Sequence, residues 1–378
     1  MNDHSSDHRF GVEYRLHGAA DLAKQTAERL CADQTIEAPV ELLRAVPERA
    51  SLLGRLEYLE TDDATHHRAI ISFPVELFGD SCPQLFHTLF GTASLTAGIQ
   101  VTGLRLPVTL PTGWRGPRYG QTGLRVLVDV HHRPLVCAVL KPLGFSPEQL
   151  ADLAFHFALG GVDLIKDDQG LADHHFCRFE ERVRRCVDAV QRASRQTQRS
   201  CLYFPHITGT AEEIAHRLRF AHNAGADGAL LCPGLIGHSA LHEVTRDPGL
   251  ALPVMSHPAF LGTYALDRRS GLAPHVLYGE LPRLIGADIS IFPIYGLNFP
   301  VTREDCRLIA EACSKEWGNL APVFPTAAGR MGEDRIAEMY DTFGRDTVFI
   351  LGSQVRQDAS GITGACTKFM AALEGVAH

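Results

Sequence analysis

LVCAVLK (135–141), SPEQLADLAFHFAL (146–159) and VDLIK (162–166), the last running on into DDQ (167–169), read as a strand, a helix and a second strand in immediate succession. Both strand runs are near-continuously apolar up to their lysine rather than alternating, the pattern of strands buried on both faces of a parallel sheet. Six further β-rich runs follow: SCLYFPH (200–206), GALLC (228–232), ALPVMSH (251–257), ADISIFPIY (287–295), LAPVFPT (320–326) and TVFILGS (347–353). Helical patterns lie between them, among them RFEERVRRCVDAVQRAS, AEEIAHRLRFAHNAG, HVLYGELPRLIG, REDCRLIAEACSKEW and EDRIAEMYDTFG, with a shorter one in HSALHEVTRDPG. Eight such units close into a (β/α)8 barrel. The alternative, an open doubly wound sheet, lacks its GxGxxG after the first strand.

Ahead of the barrel the pattern differs. FGVEYRL (10–16) alternates as a strand, DLAKQTAERLCAD (21–33) has helical spacing, RLEYLE and HHRAIISFPVEL read as strands, and QLFHTLFGTAS is again helical. This predicts an α+β domain over 9–120 and a barrel over 121–378, with the Gly- and Pro-rich PTGWRGPRYG (111–120) as linker or covering loop. The first eight residues are polar and expected to be disordered.

Composition is that of an ordinary globular protein, 45% apolar and 21% charged. A net charge of −8 argues against a nucleic-acid partner but not against a local anion pocket. Ten cysteines without a CxxC pair, an N-terminus without an apolar signal core, and no apolar run near the ~20 residues that span a bilayer predict a reduced, cytoplasmic protein with no membrane partner. The histidine pairs His131-His132 and His174-His175 have no third ligand at fixed spacing, so zinc is not expected.

Lysine usage is sharper. Of 36 basic residues only five are lysines, and two of them, Lys141 and Lys166, end the first two barrel runs. Arginine stays protonated, whereas a desolvated lysine can act as a base or be covalently modified. The chemistry of a barrel sits at the C-terminal ends of its strands. That rule selects Lys141, Lys166 to Gln169, His206, Cys232, His257, Tyr295, Thr326 with Gly329, and Gly352-Ser353. By period 2, Lys166 and Asp168 face the same way. Asp168 and Gln169 offer oxygens to a hard cation such as Mg2+, and a carbamate on Lys166 would add a third. The competing reading is a Lys–Asp ion pair that keeps the pocket neutral.

LKPLGFSPEQLA followed by GGVDLIKDDQ resembles the paired lysine motifs, KPKLGLS and GGxDFxKxDE, of the ribulose bisphosphate carboxylase (RuBisCO) large-chain superfamily. RGPRYG, FGT (90–92), YFPHITGT (203–210), SHPA (256–259) and the AAG and LGS turns keep the family's order. The resemblance implies a ferredoxin-like N-terminal α+β domain before the barrel. It also implies an Mg2+ site at Lys166, Asp168 and Gln169, a phosphate cradle at Gly329, Gly352 and Ser353, and catalytic roles for Lys141, His257 and Lys166. The family's homodimer covers each barrel mouth with the partner's N-terminal domain, which would bring Asp33 to the metal edge, Thr35 to the phosphate and Thr92 to the substrate pocket beside His206.

The departures argue against CO2 fixation. KP-LG lacks the second lysine, Thr92 replaces an asparagine, Gln169 replaces a carboxylate ligand, and Pro258 replaces a phosphate-holding arginine. IYGLNFPVTRE carries no lysine to close over CO2, and AAG replaces SGG. A RuBisCO-like protein of the non-carboxylating type is therefore expected, using the enolisation half of the chemistry. ISIFPIYGLNFPVTREDC resembles the FPNYGGRFSF-type stretch of sugar-acid members, with Leu297-Asn298 in place of Gly-Arg. On that basis the expected reaction is decarboxylation, or transcarboxylation/hydrolysis, of a 3-keto sugar-acid phosphate such as 3-oxo-isoapionate 4-phosphate. The alternatives are an enolase or isomerase of a methylthio-ketose 1-phosphate in sulfur salvage, and a non-catalytic sugar-phosphate binder.

Overall fold

The computed structural model describes residues 8–377, apart from the side chains of residues 44, 45, 47, 48, 353 and 354. The N-terminal unit runs β1 (Arg9–His17), α1 (Ala20–Asp33), β2 (Arg55–Thr61), β3 (His66–Pro74), α2 (Cys82–Phe90) and β4 (Ile99–Arg105). Its strands lie in the order β4-β1-β3-β2 with antiparallel neighbours, the ferredoxin-like arrangement expected. The alternation of FGVEYRL buries Phe10, Val12, Tyr14 and Leu16 against the two helices, and the Tyr14 hydroxyl donates to the Leu89 carbonyl at 2.7 Å.

After an extended segment comes α3 (Gly120–Val128), and then strands and helices alternate: β5 (Leu135–Leu140), α4 (Pro147–Leu159), β6 (Leu164–Asp167), α5 (Phe179–Thr197), β7 (Leu202–Phe204), α6 (Ala211–Ala224), β8 (Ala229–Leu231), α7 (Pro233–Ile236), α8 (His238–Arg246), β9 (Val254–Ser256), β10 (Gly271–Leu272), α9 (Leu281–Leu284), β11 (Ile289–Pro293), α10 (Arg303–Ser314), β12 (Phe324–Ala328), α11 (Ile336–Phe343), β13 (Val348–Leu351) and α12 (Gly361–Ala377). Each of the eight apolar runs falls on one barrel strand, β12 continuing two residues past its run. Two parallel four-stranded sheets, β13-β5-β6-β7 and β12-β11-β9-β8, meet at a His206–Leu230 parallel bridge and where β12 packs on β13. Helix starts are fixed by side chains: Ser146 with Gln149, Thr210 with Glu213, and Thr302 with Asp305 form capping boxes on α4, α6 and α10.

The interior of the barrel is a packed column. Leu135, Cys137 and Val139 of β5, Leu164 of β6, Phe204 of β7, Met255 of β9, Phe324 of β12 and Ile350 of β13 belong to one buried cluster. Leu124 and Val128 of α3 close it from below. Asp288 holds that plug in place, accepting the N–H of Tyr119 (2.7 Å) and Gly120 (2.8 Å) and, on the sheet side, of Val254 (2.8 Å). Neither α3 nor β4 stands out in the sequence pattern. A third element, β10, pairs with β4 and adds a barrel segment to the N-terminal sheet, so the two units interlock in space.

Candidate active site at the C-terminal mouth of the barrel

Above the apolar column the inward-facing rows turn polar. Leu164 is followed at two-residue steps by Lys166 and Asp168, Phe204 by His206, Leu230 by Cys232, Met255 by His257, and Phe324 by Thr326. A cavity of about 680 Å³ opens over this layer. Lys141, Lys166, Asp168, Gln169, His257, Gly329 and Gly352 all line it, so the structure brings together residues from five segments of chain. Val139, Ile291, Pro293, Phe299, Ile350 and Leu351 supply an apolar wall.

The two lysines stand at different depths. Lys166 pairs in register with Val139, which puts Lys141 one inward-facing position above it. Lys166 is 3% exposed, its Nζ donates to the Asp167 carbonyl at 3.0 Å, and burial pushes its pKa down despite nearby acidic groups. Lys141 is half-buried, and its carbonyl accepts from Arg356.

Asp167 and Asp168 diverge. Asp167 points into the barrel wall, where its carboxylate takes Arg182 Nε (3.0 Å), Tyr203 Oη (2.8 Å) and the His206 N–H (3.0 Å). Asp168 faces the cavity, with one oxygen on the Gly170 N–H at 3.0 Å. Gln169 is exposed at the rim, and its amide makes no hydrogen bond among the described residues.

His257 is a neutral ring. Burial, reinforced by the proximity of Lys166, pushes its pKa down to about 3. Its Nδ1 accepts the Ala259 N–H at 3.2 Å, which leaves the proton on Nε2. His206 lies beneath the cavity rather than on it. Its Nδ1 donates to the Leu171 carbonyl at 2.9 Å, and its Nε2 takes the Cys232 thiol at 3.4 Å. Burial pushes that thiol up to about 12 and the His206 ring below its ordinary value, so both stay uncharged.

Thr35 and Thr92 do not reach the cavity of their own chain. The Thr35 hydroxyl donates to the Cys31 carbonyl at 2.7 Å at the end of α1, and Thr92 opens a short turn, Thr92–Leu95, after α2. Gly329 has φ +141°, and a Cβ there would lie 2.4 Å from Leu297 Cδ1, so only glycine fits this turn. Ser353 opens the turn Ser353–Arg356 after Gly352, and its side chain lies outside those described. Tyr295 turns away to Glu338, at 2.5 Å. Sequence reasoning missed Arg330 and Phe299, which both line the cavity. The first is a cation directly after the Gly329 turn, a signal that was available. The second sits in a loop with no periodicity to place it.

The donor set can be tested against a divalent cation. Among the described residues no group of three or more His, Cys, Asp or Glu side chains converges on one point. The cavity offers one carboxylate, Asp168, one free amide, Gln169, and the amine of Lys166, a poor ligand for a hard ion. A carbamate on Lys166 would convert that amine into an oxygen donor. The reaction with CO2 requires an unprotonated amine, the form that burial of Lys166 favours. With that modification the set fits Mg2+.

A polar ring over a packed (β/α)8 column, with lysines from adjacent strands and a glycine turn opposite, defines a barrel enzyme site of the C-terminal face. The family model described as ribulose bisphosphate carboxylase large chain, catalytic domain, matches residues 121–292. A 5-methylthioribulose-1-phosphate isomerase of Rhodospirillum rubrum is 32% identical over 371 residues, 98% of this chain and 97% of its own. A 2,3-diketo-5-methylthiopentyl-1-phosphate enolase of Geobacillus kaustophilus is 32% identical over 309 residues, 81% and 74% of the two chains. The crystal structure of a Rubisco-like protein from Rhodopseudomonas palustris superposes with a TM-score of 0.86 at 31% identity, covering 97% of each chain. The chain belongs to the RuBisCO large-chain superfamily and is a RuBisCO-like protein. Solved members of the family include a dimer and an octamer, the latter crystallised with a sulfate ion.

Proposed function

We propose that this protein is an enolase or isomerase that moves a proton at the carbon beside the carbonyl of a phosphorylated ketose bearing an apolar substituent. The observation that carries the reading is the composition of one cavity: two lysines and a neutral histidine set among the apolar groups of Val139, Ile291, Pro293, Ile350 and Leu351. The names of the relatives that align along most of the chain, an isomerase and enolases of methylthio-ketose phosphates, support it.

Lys141 is the base. It stands above Lys166 at the mouth, where a ketose bound across the cavity presents its α-carbon, and its amine returns the proton to the same or the next carbon. His257 presents Nε2–H as a neutral donor to the developing oxyanion, since a ring with a pKa of about 3 stays neutral near pH 7. The unpaired N–H groups at Gly329 and Gly352 receive the phosphate. Mg2+, held by carbamylated Lys166, Asp168 and Gln169, would supply Lewis-acid polarisation of the carbonyl when bound.

Decarboxylation of a 3-keto sugar-acid phosphate is the second reading. Its specific support is the pair of basic side chains Lys141 and Arg330 on the lining against the single carboxylate of Asp168, which suits a substrate with two anionic ends.

The test is proton NMR of 5-methylthioribulose 1-phosphate with the protein in D2O, with Mg2+ and bicarbonate and then with EDTA. The expected result is metal-dependent loss of the α-proton signal, slowed at least about 100-fold by Lys141→Met. No exchange, with loss of the carboxylate carbon from 3-oxo-isoapionate 4-phosphate by carbon NMR, transfers the assignment to decarboxylation. Silence on both substrates leaves the non-catalytic binder.

A further inference from the structure

We propose that Arg330 is the side chain that recognises the anionic end of the substrate, a phosphate monoester, and so sets this site's specificity for phosphorylated ligands. The inference rests on the reading of the cavity as a sugar-phosphate site and adds a residue to it. Arg330 is exposed, lines the cavity and is the one arginine that does so among the described residues. Its guanidinium makes no hydrogen bond or ion pair among them. Its neighbours are engaged: Arg335 pairs with Glu338 at 3.2 Å, Arg303 with Asp341 at 3.0 Å, and Arg356 lies over the Phe145 ring. Glu333 and Asp334 follow closely in sequence but line a separate cleft with Met331, Gly332 and Asp358. Among the described residues the one carboxylate on the cavity lining is Asp168, already turned onto the Gly170 N–H.

The backbone singles out the same residue. Arg330 has φ +25°, a conformation that is unfavourable for a residue with a Cβ and recurs at ligand clamps. It follows Gly329 at φ +141°, and this pair of angles turns the chain off the end of β12 so that both residues border the cavity. No backbone acceptor takes the N–H of Gly329, Arg330 or Gly352 among the described residues. A planar fork of guanidinium donors beside three unpaired amides matches a tetrahedral dianion, which can accept bidentate bonds from the fork and single bonds from the turn. Two strands away in the same sheet, the turn after β9 brings Pro258 and Ala259 to the lining, neither of them a cation.

The experiment titrates the full-length protein with inorganic phosphate, followed by calorimetry and by phosphorus NMR line broadening, for wild type, Arg330→Gln and Arg330→Lys. Arg330→Gln is expected to weaken phosphate binding at least about tenfold. Arg330→Lys should recover only part of it, because a point charge lacks the fork. With a turned-over substrate the loss should fall on KM and leave kcat within about twofold, the behaviour of a group that binds ground and transition states alike. An Arg330→Gln protein that binds phosphate within twofold of wild type overturns the proposal, as does a wild-type protein that binds no phosphate at millimolar concentration. The titration needs no turnover. Phosphate binding that depends on Arg330 in a protein inert toward ketose phosphates would therefore refute the reaction proposed above and uphold this residue's role.

Discussion

Asp167 and Asp168 are adjacent and chemically identical, yet one is wall and the other is site. A strand turns successive side chains to opposite faces, so the buried Lys166 and the cavity-facing Asp168 share a side and Asp167 faces the helices, where Arg182 and Tyr203 meet it. That parity was legible from VDLIKDDQ alone. The neutrality of the histidines was not, because it comes from burial that only the assembled fold creates. His238 shows the consequence for stability. Its ring packs at a tilt against Phe86, centroids 4.5 Å apart, and burial pushes its pKa down to about 4. The unfolded chain takes up a proton near pH 6.5, while the folded protein resists until about pH 4. The contribution of His238 is thus complete above pH 6.5 and is lost as pH falls toward the folded value, at up to about 1.4 kcal/mol per pH unit. In urea unfolding, His238→Gln is expected to gain stability relative to wild type between pH 7.5 and 5. A constant difference across that range would refute this assignment.

Among the elements, the eight barrel strands were legible because strands buried on both faces leave continuous apolar runs, and each run ends where its first polar rim residue begins. The elements that escaped are those whose existence depends on partners far along the chain. GQTGLRVLV follows a Gly-rich loop and shows no long periodicity; it is a helix because Asp288, from a distant strand, accepts its first N–H groups and because the bottom of the barrel needs a plug. The two-residue β10 exists only as an addition to β4. Asp288 is therefore the place to test the plug. Asp288→Ala removes the acceptor for three N–H groups, those of Tyr119, Gly120 and Val254. Two of those groups are otherwise buried without partners, each at about 1–3 kcal/mol, so a total loss of about 2–6 kcal/mol is expected in chemical denaturation. A loss below about 1 kcal/mol would mean that apolar packing of Leu124 and Val128 holds the helix without it.

At the scale of the whole molecule, the chain carries two apolar surfaces that one copy leaves open. Around the barrel mouth Phe260 (71% exposed), Leu266 (57%) and Phe299 (49%) face solvent, and in the N-terminal unit the turn that bears Thr92 exposes Leu95 at 86%. Exposed apolar groups clustered at a cavity mouth mark a surface to be covered. The same N-terminal unit holds Thr35 and Thr92, which do not reach the cavity of their own chain. A two-fold dimer in which each N-terminal unit closes the other's barrel accounts for both facts, because an isologous contact covers the two surfaces together and completes two sites at once. The arrangement makes a prediction that a monomer cannot meet. Lys166→Met disables the barrel half of a site, and a double Thr35→Val, Thr92→Val variant disables the covering half. Each homodimer should be nearly inactive. After unfolding and refolding together at equal amounts, about half of the dimers are mixed, and each mixed dimer regains one intact site of its two. About a quarter of wild-type activity per site should therefore return, and it should be absent when the two variants are refolded separately and then combined. If the mixture stays inactive while light scattering shows dimers, the site is built within one chain and the apolar mouth serves another contact.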